Sequence, residues 1–389
     1  MAKEKLDFNV REINAVFSTD NGLEMVFGAA NGSTMRVHPV KMGGFSEGDG
    51  LVRKFRSHRT ADGLSCSADT EVIIPFGVEP MIRRDFEFAG NHGTVLTDVN
   101  MKGGMEIKSI AVDNVTIEGK VRRVGIIDIP GCGGNVPEVR WYESASGEEF
   151  YNADEPFLVC LVELEDGFIW EVGSGDDLWR WNLGPKHHAG SSFKVAATKN
   201  GIAIERMVYI RKDENSTLPQ RGLRFKWYFA WTGHLPEFTG TKGTAYPFGA
   251  LPASAKQLSF ELTGEAVTAS SAVMVNGTET AECPCFESNV FRRGFNEWIR
   301  AAAGRYENAG MVLYGVEPHL CMAASHMERP KKIILRHWDI ISMLDQWLWA
   351  NRQLRKNGAS IRFIGRGGDF ELPSLRGMAQ PAYPVDDEA

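Results

Sequence analysis

Nowhere in this 389-residue chain do apolar side chains run for the ~18 consecutive positions that a membrane-spanning helix needs. The opening stretch MAKEKLDFNV is polar and has no apolar core of the kind a secretory signal carries. As written, the sequence is therefore expected in the cytoplasm, with no membrane partner. Cysteine is scarce: Cys66, Cys132, Cys160, Cys283, Cys285 and Cys321 are scattered, with no double pair at metal-ligand spacing. Cys283-Pro-Cys285 is too short and too isolated for a zinc site, so free, mostly buried thiols are expected. An excess of positive charge is also missing. Lys and Arg number 43 against 50 Asp and Glu, for a net charge of −7 and a pI near 5.8. That balance argues against a nucleic-acid partner, which favours a basic face. The pairs Arg83-Arg84, Arg122-Arg123 and Arg292-Arg293 are short and read as solvated edges of strands or helices. No phosphate-cradling Gly-Lys-Ser/Thr loop, Gly-x-Ser-x-Gly elbow or His-Glu-x-x-His occurs. Gly131-Cys-Gly-Gly134 and Gly365-Arg-Gly-Gly368 lack the helix that a dinucleotide-binding turn should lead into.

What is present is turn chemistry. Asn-Gly occurs at Asn21-Gly22, Asn31-Gly32, Asn200-Gly201 and Asn276-Gly277, and Asp-Gly at Asp49-Gly50, Asp62-Gly63 and Asp166-Gly167. Type I′ turns need positive φ at both central residues, which these residues tolerate, so the dipeptides favour hairpins. The flanks agree: GLEMVFGAANGSTMRVHPV, FLVCLVELEDGFIWEV and FKVAATKNGIAIERMVYI each read as strand, tight turn, strand. MIRRDFEFAG, GTVLTDVNM, MEIKSIAV, LRFKWYFAWT and KQLSFEL add further strands. A composition of 43% hydrophobic and 24% charged residues is that of a globular protein, and this length can bury a large core without disulfides. The expected fold is mainly β: a large antiparallel β-sandwich with two late α-helices packed on it.

The helices are expected at 286–309 and 330–357. In the first, Val290, Phe291, Phe295, Trp298 and Ile299 share a face. In the second, Pro330 suits a first turn, Asn357-Gly358 supplies a stop, and Ile333 to Leu348 form a wide apolar arc. Asp345 and Arg352 fall on that arc and are expected as a buried pair or as partners of the β body. One domain over 1–372 and a mobile tail over 373–389 complete the reading.

One stretch concentrates chemistry. EVGSGDDLWRWNLGPKHH, residues 171–188, holds three carboxylates, an arginine, two tryptophans and two histidines. In strand geometry Glu171, Asp177, Trp179 and Trp181 fall on one side, and Trp170, Val172, Asp176, Leu178 and Arg180 on the other. Gly173-Ser174-Gly175 is expected to break the strand into a turn or bulge. Indole faces can cover the C–H patches of a sugar, while Asp176, Arg180 and the carboxylates bond its hydroxyls. His187 or His188 then supplies an imidazole for proton transfer. The structural alternative puts both tryptophans in the core, with Asp176 and Asp177 capping a turn and paired to Arg180.

A second polar group, VEPHLCMAASHME, contains Glu317, His319, His326 and Glu328. Glu317 reads as a catalytic carboxylate at a strand end, with His319 as a ligand contact. No cofactor is expected; the alternative use of Glu317, His319 and His326 is to hold a divalent metal. Glu328, just before Pro330, equally suits a helix start, where a carboxylate is favoured by the helix dipole.

The stretch MIRRDFEFAGNHGTVLTDVNMKGGMEIKSIAVDNVTIEG, residues 81–119, resembles the central strands of the galactose mutarotase-like β-supersandwich. The resemblance is one of strand order and texture and covers residues 10–320. That fold recurs in aldose epimerases and in domains of many glycoside hydrolases and polysaccharide lyases. In the epimerases a His midway along the chain and a Glu far downstream form the acid–base pair, and His187 or His188 with Glu317 stands in that order here. The resemblance implies a sugar or oligosaccharide ligand. The leading expectation is an enzyme that cleaves a glycosidic bond by acid–base catalysis through Glu171, Asp177, His187, His188 and Glu317. Trp179, Trp181, Arg180, Asp176 and His319 would bind the substrate. Epimerisation or elimination by a His/Glu pair is the first alternative, and a non-catalytic carbohydrate-binding or structural subunit is the second. A homo-oligomer is compatible with the sequence.

Overall fold

The computed structural model describes residues 5–10, 13–19, 23–60, 63–72, 80–100, 107–128, 139–143, 148–174, 189–214, 216, 223–232, 245–247, 272–275, 278–282, 289–303, 310–314, 320–321, 337–338, 340–355 and 360–364. The chain forms two compact units, Met1–Ile129 with Glu138–Gly233, and Pro130–Pro137 with His234–Ala389.

Among the described residues the first unit has twenty strands. They begin with β1 (Lys5–Val10), β2 (Ile13–Ser18), β3 (Glu24–Ala29), β4 (Thr34–Val37), β5 (Lys41–Met42), β6 (Phe45–Ser46) and β7 (Leu51–Thr60). Next come β8 (Gly63–Glu71), β9 (Met81–Ala89), β10 (His92–Asn100), β11 (Ser109–Ala111), β12 (Val115–Glu118) and β13 (Val121–Ile127). The series closes with β14 (Arg140–Glu143), β15 (Glu149–Ala153), β16 (Val159–Leu164), β17 (Ile169–Ser174), β18 (Gly190–Thr198), β19 (Gly201–Ile210) and β20 (Leu223–Trp231). One antiparallel sheet runs β1-β2-β3-β4-β12-β19-β11-β5-β6, with β18 also on β19 and β15 on β18. The other, nine-stranded and antiparallel, runs β14-β13-β16-β17-β20-β10-β9-β8-β7. The expected antiparallel sandwich is therefore present.

Turn residues account for the hairpins. At β3–β4, Gly32 has φ 84° and the Asn31 side-chain oxygen accepts from the Ser33 amide at 2.9 Å. At β16–β17, Gly167 has φ 87° and Asp166 accepts from the Phe168 amide at 3.1 Å. Asp49-Gly50 departs from the expectation. There the Ser46 hydroxyl accepts from the Gly48 amide and caps one 3-10 turn, Glu47–Asp49, instead of starting a hairpin.

The second unit contains β21 (Ala245–Pro247), β22 (Ala272–Val275), β23 (Thr278–Glu282), α1 (Asn289–Ala303), β24 (Gly310–Tyr314), β25 (Leu320–Cys321), β26 (His337–Trp338), α2 (Ile340–Arg355) and β27 (Ser360–Ile364). Strands β21, β24 and β27 are parallel neighbours in that order, so α1 and α2 are the crossovers that parallel pairing requires. This parallel element is a finding that the hairpin-rich sequence did not suggest. Phe295 and Ile299 of α1 are buried as expected, as are Ile340, Ile341, Leu344 and Trp347 of α2. The second helix is shorter than expected: His337–Trp338 pairs with Leu320–Cys321 as a strand. An aspartate stands immediately before Ile340 in sequence, the residue type favoured ahead of a helix. Arg352 is exposed, so it does not share the buried arc of α2. Among the described residues no helix is long and apolar enough to cross a membrane.

Strand alternation organises the sandwich interior, but not as one continuous apolar core. One buried cluster gathers Leu64, Ala68, Phe86, Phe88, Val95, Val115, Ile204 and Phe229; a second gathers Val72, Ile82, Val99, Val112, Val208, Phe225 and Trp227. Where β8, β9, β10, the β11–β12 connection and β19 pass between them, the inward residues are Thr70, Arg84, Thr97, Asp113 and Arg206, all buried. Arg84 donates to the Leu23 carbonyl at 2.8 Å, to Glu47 at 3.3 Å and to Asp113. Thr97 donates to the second Asp113 oxygen at 2.8 Å. Glu47 accepts from the Val40 amide at 3.0 Å and from Thr70 at 3.3 Å. Arg206 bonds the Asp113 carbonyl from the other sheet and lies 4.5 Å over the Trp227 ring. Asp113 takes a left-handed conformation, φ 51°, which Asp tolerates better than most residues.

Burial works against charge throughout this belt. It lowers Arg206 to about 10 and raises the Glu47 carboxyl. At Arg84 the same penalty is outweighed by Glu47 and Asp113, which hold the guanidinium charged. Arg84 thus corrects the expectation of a solvated Arg83-Arg84 pair: alternation sends Arg83 outward and Arg84 into the interior. Cys66 and Cys160 are buried and free, with burial pushing both thiols up to about 12.

Removing one partner of such a network strands the others without water. Arg84→Ala should therefore destabilise the protein by about 3–5 kcal/mol in urea unfolding. Arg224→Ala, which breaks an exposed pair with Asp98, should cost less than ~1 kcal/mol. Equal losses for the two variants would refute the role given to the belt.

Candidate functional site

The chemistry-rich stretch 171–188 begins in β17, which lies between β16 and β20 in the nine-stranded sheet. Its alternation is the one read from the sequence: Trp170 and Val172 join the core, and Glu171 takes the opposite, outer face. That face is not open here. Glu171 is 0% exposed, and its carboxylate accepts a hydrogen bond from the Tyr228 hydroxyl at 2.8 Å. The Tyr228 ring crosses directly over Gly173, where a Cβ would sit 2.0 Å from the ring. Gly173 is thus the residue that lets tyrosine reach glutamate. The strand continues regularly through Gly173 and Ser174, where a turn or bulge was expected, because the glycine serves close packing.

Strand register maps the outer face. Leu161, Glu171, Ala230 and His92 stand side by side on four adjacent strands, and all are buried. Two strand spacings separate Glu171 from His92, roughly 10 Å. Burial drops the His92 pKa to about 4, so this imidazole is neutral at ordinary pH. The next row carries Tyr228, Thr94, Glu87, Ser65 and His58; the one after it Lys226, Leu96, Asp85, Ser67 and Arg56. The last holds Arg224, Asp98, Arg83, Asp69 and Lys54. Arg224 bonds Asp98 at 2.6 Å and Arg83 bonds Asp85 at 3.0 Å. The face therefore grades from a sealed end at Glu171 and His92 to a wet end of donors and acceptors. In the three open rows Leu96 is the sole aliphatic side chain. A surface of this kind suits a ligand rich in hydroxyls and is unlike an apolar small-molecule pocket.

Of the residues singled out from the sequence, Glu171 is placed, and it is joined to Tyr228. Asp176, Asp177, Trp179, Arg180, Trp181, His187, His188, Glu317, His319 and His326 lie outside the described residues. Among the described residues no three His, Cys, Asp or Glu side chains gather as metal ligands. The sequence reading missed Tyr228 and His92. The signal for Tyr228 was an aromatic in LRFKWYFAWT at the outward phase of a strand whose inward residues are also aromatic.

Two outcomes test this geometry. Gly173→Ala should force Tyr228 off Glu171 and cost about 1–3 kcal/mol, and most of that cost should vanish in a Tyr228→Ala background. An undiminished cost in that background would exclude the ring as the cause. For His92 the folded value of about 4 lies below the free imidazole's 6.5, so between them the unfolded chain binds more protons. Its contribution is complete above pH 6.5 and declines as pH falls toward 4, by about 1.4 kcal/mol per pH unit. His92→Gln should flatten that part of the stability profile in urea titrations at successive pH values. Parallel profiles for the two proteins would show that His92 is not the source.

No family model and no curated protein matches the sequence. Among solved structures, an α-N-acetylgalactosaminidase from Bifidobacterium bifidum, in complex with GalNAc, aligns over 92% of this chain and 58% of its own, at 9% identity and TM-score 0.39. A glycoside hydrolase family 97 enzyme from Pseudoalteromonas sp. strain K8 aligns over 90% of this chain and 64% of its own, at 10% identity and TM-score 0.37. An Escherichia coli K12 protein provisionally assigned as an aldose 1-epimerase aligns over 59% of this chain and 99% of its own, at 8% identity and TM-score 0.34. The chain spans less than two thirds of the length of the first two. Identities this low bear on fold alone, and at these TM-scores the sandwich must be argued from its own strands.

Proposed function

We propose that the protein is a carbohydrate-active enzyme that cleaves a glycosidic bond by acid–base catalysis on the outer face of the nine-stranded sheet. The observation that carries the reading is the make-up of that face. Its open rows present serine, threonine, carboxylate and cationic side chains, and its sealed end holds a carboxylate fixed by a tyrosine hydroxyl. A polyhydroxylated ligand can satisfy such groups in both senses, donating and accepting.

In this scheme Glu171, sealed beneath Tyr228 on the outer face, orients the tyrosine hydroxyl. Asp177, six residues further along the chain, is the candidate acid or nucleophile, with Trp179 and Trp181 against the C–H faces of the sugar. Asp176 and Arg180 bond hydroxyls, and His187 or His188 moves a proton. Glu317 and His319 are the second carboxyl and ligand contact suggested by the sequence, and both belong to the second unit. A glycosidase needs one protonated and one ionised carboxyl; ~5–5.5 Å between them gives retention, and ~6.5–9.5 Å inversion. The scheme needs no metal or cofactor.

A glycan panel read by thermal shift and by release of reducing ends separates binding from cleavage. On a substrate so found, Asp177→Asn and Glu317→Gln should each lower kcat/KM by about 100-fold or more, with the thermal shift retained. Full activity in both variants would overturn the assignment. An unsaturated or epimerised product would replace hydrolysis with elimination or epimerisation, and binding without turnover would indicate a non-catalytic subunit.

A further inference from the structure

Among the described residues, strand β7 is the last strand of the nine-stranded sheet. Its sequence, LVRKFRSHRT, carries Arg53, Lys54, Arg56, His58 and Arg59 and no carboxylate, in a chain whose net charge is −7. Two of these groups are accounted for locally. Arg53 pairs with Glu71, and Arg59 donates to the Asp7 carbonyl at 3.0 Å and lies 5.5 Å over the Phe8 ring. Lys54, Arg56 and His58 are exposed, and among the described residues none of the three has a hydrogen bond or ion pair.

Their direction is set by an irregularity in the pairing. Val52 faces Thr70 and is buried in the core, so an unbroken alternation would turn Lys54, Arg56 and His58 inward as well. The register instead shifts between Val52 and Lys54, inserting Arg53 as an extra residue. Beyond it Phe55, Ser57 and Arg59 align with the inward Ala68, Cys66 and Leu64. Lys54, Arg56 and His58 align with the outward Asp69, Ser67 and Ser65. A one-residue bulge thus re-aims two cations, Lys54 and Arg56, and the His58 imidazole onto the outer face. Charged side chains and bulges on an edge strand also deter unwanted strand pairing. Ser65 and Ser67 extend the row of donors, and Asp69, opposite Lys54, is its nearest carboxylate. Alternate residues stand ~6.8 Å apart, so the row runs for ~14 Å, the reach of a linear polymer and more than a single small anion requires.

We infer that the Lys54–Arg56–His58 row reads negative charge on the saccharide, and that the ligand is an anionic polysaccharide seated along β7 with its carboxylate or sulfate groups on Lys54 and Arg56 and a hydrogen bond to His58. The inference rests on the saccharide reading above and narrows its ligand class.

The test measures binding of the full-length chain to oligogalacturonate, to size-matched dextran sulfate fragments, to neutral dextran and to a short DNA duplex. Lys54→Glu/Arg56→Glu should weaken polyanionic saccharide binding at least tenfold, and Lys54→Gln/Arg56→Gln by a smaller factor. Lys120→Glu/Lys199→Glu makes the same change in net charge at exposed positions elsewhere, and should stay within twofold of the unaltered protein. Preference between the two polyanions then identifies carboxylate or sulfate. Equal weakening by the two charge reversals, or tighter binding of DNA than of either polyanionic saccharide, overturns the inference. Binding of neutral dextran alone overturns it while leaving the saccharide reading intact, and failure to bind any glycan removes both.

Discussion

The first unit depends on a charged belt inside an otherwise apolar sandwich. Arg84 enters from one sheet and Arg206 from the other, and Asp113 lies between them, its carboxylate bonded to Arg84 and its backbone carbonyl to Arg206. Glu47 closes the group from the 3-10 turn after β6. Desolvating four charges is expensive, and apolar residues of the same volume could serve stability as well. Fixed ionic partners add to what the apolar pattern already does in holding the register. Slip β9 by one residue and Arg84 faces water while Arg83 faces the core, leaving Asp113 and Glu47 buried without their cation.

The same belt divides the interior into two hydrophobic clusters, so each long strand carries two apolar stretches with a polar residue between them. Thr70, Thr97 and Arg206 occupy that position on β8, β10 and β19. In one dimension such residues look like interruptions. In the sandwich they form a continuous hydrogen-bonded layer from one sheet to the other.

On the outer face, two local departures from ideal strand structure place the candidate site chemistry. A glycine where any side chain would collide lets Tyr228 lie over β17 and bond Glu171. A register shift after Val52 turns Lys54, Arg56 and His58 from inward to outward. Each changes what a strand presents without changing which strands pair.

Period-two alternation and turn residues were sufficient for much of this protein. Asn31-Gly32, Asp166-Gly167 and Asn200-Gly201 mark hairpins because positive φ is a local property, and Trp170 inward with Glu171 outward follows from the pleat alone. Lys54 and Arg84 show where that reasoning ends. Both sit in strands of plain alternating texture, yet one is exposed through a bulge and the other buried beside carboxylates that lie 37 positions before and 29 positions after it. The parallel order of β21, β24 and β27 was equally hidden, since crossovers are fixed by packing between distant segments. The sequence by itself determined strand, turn and the side each residue prefers, because those depend on near neighbours along the chain. Only the tertiary structure decided which charges are paired in the interior and which face a ligand could meet, because burial and register are set by residues remote in the chain.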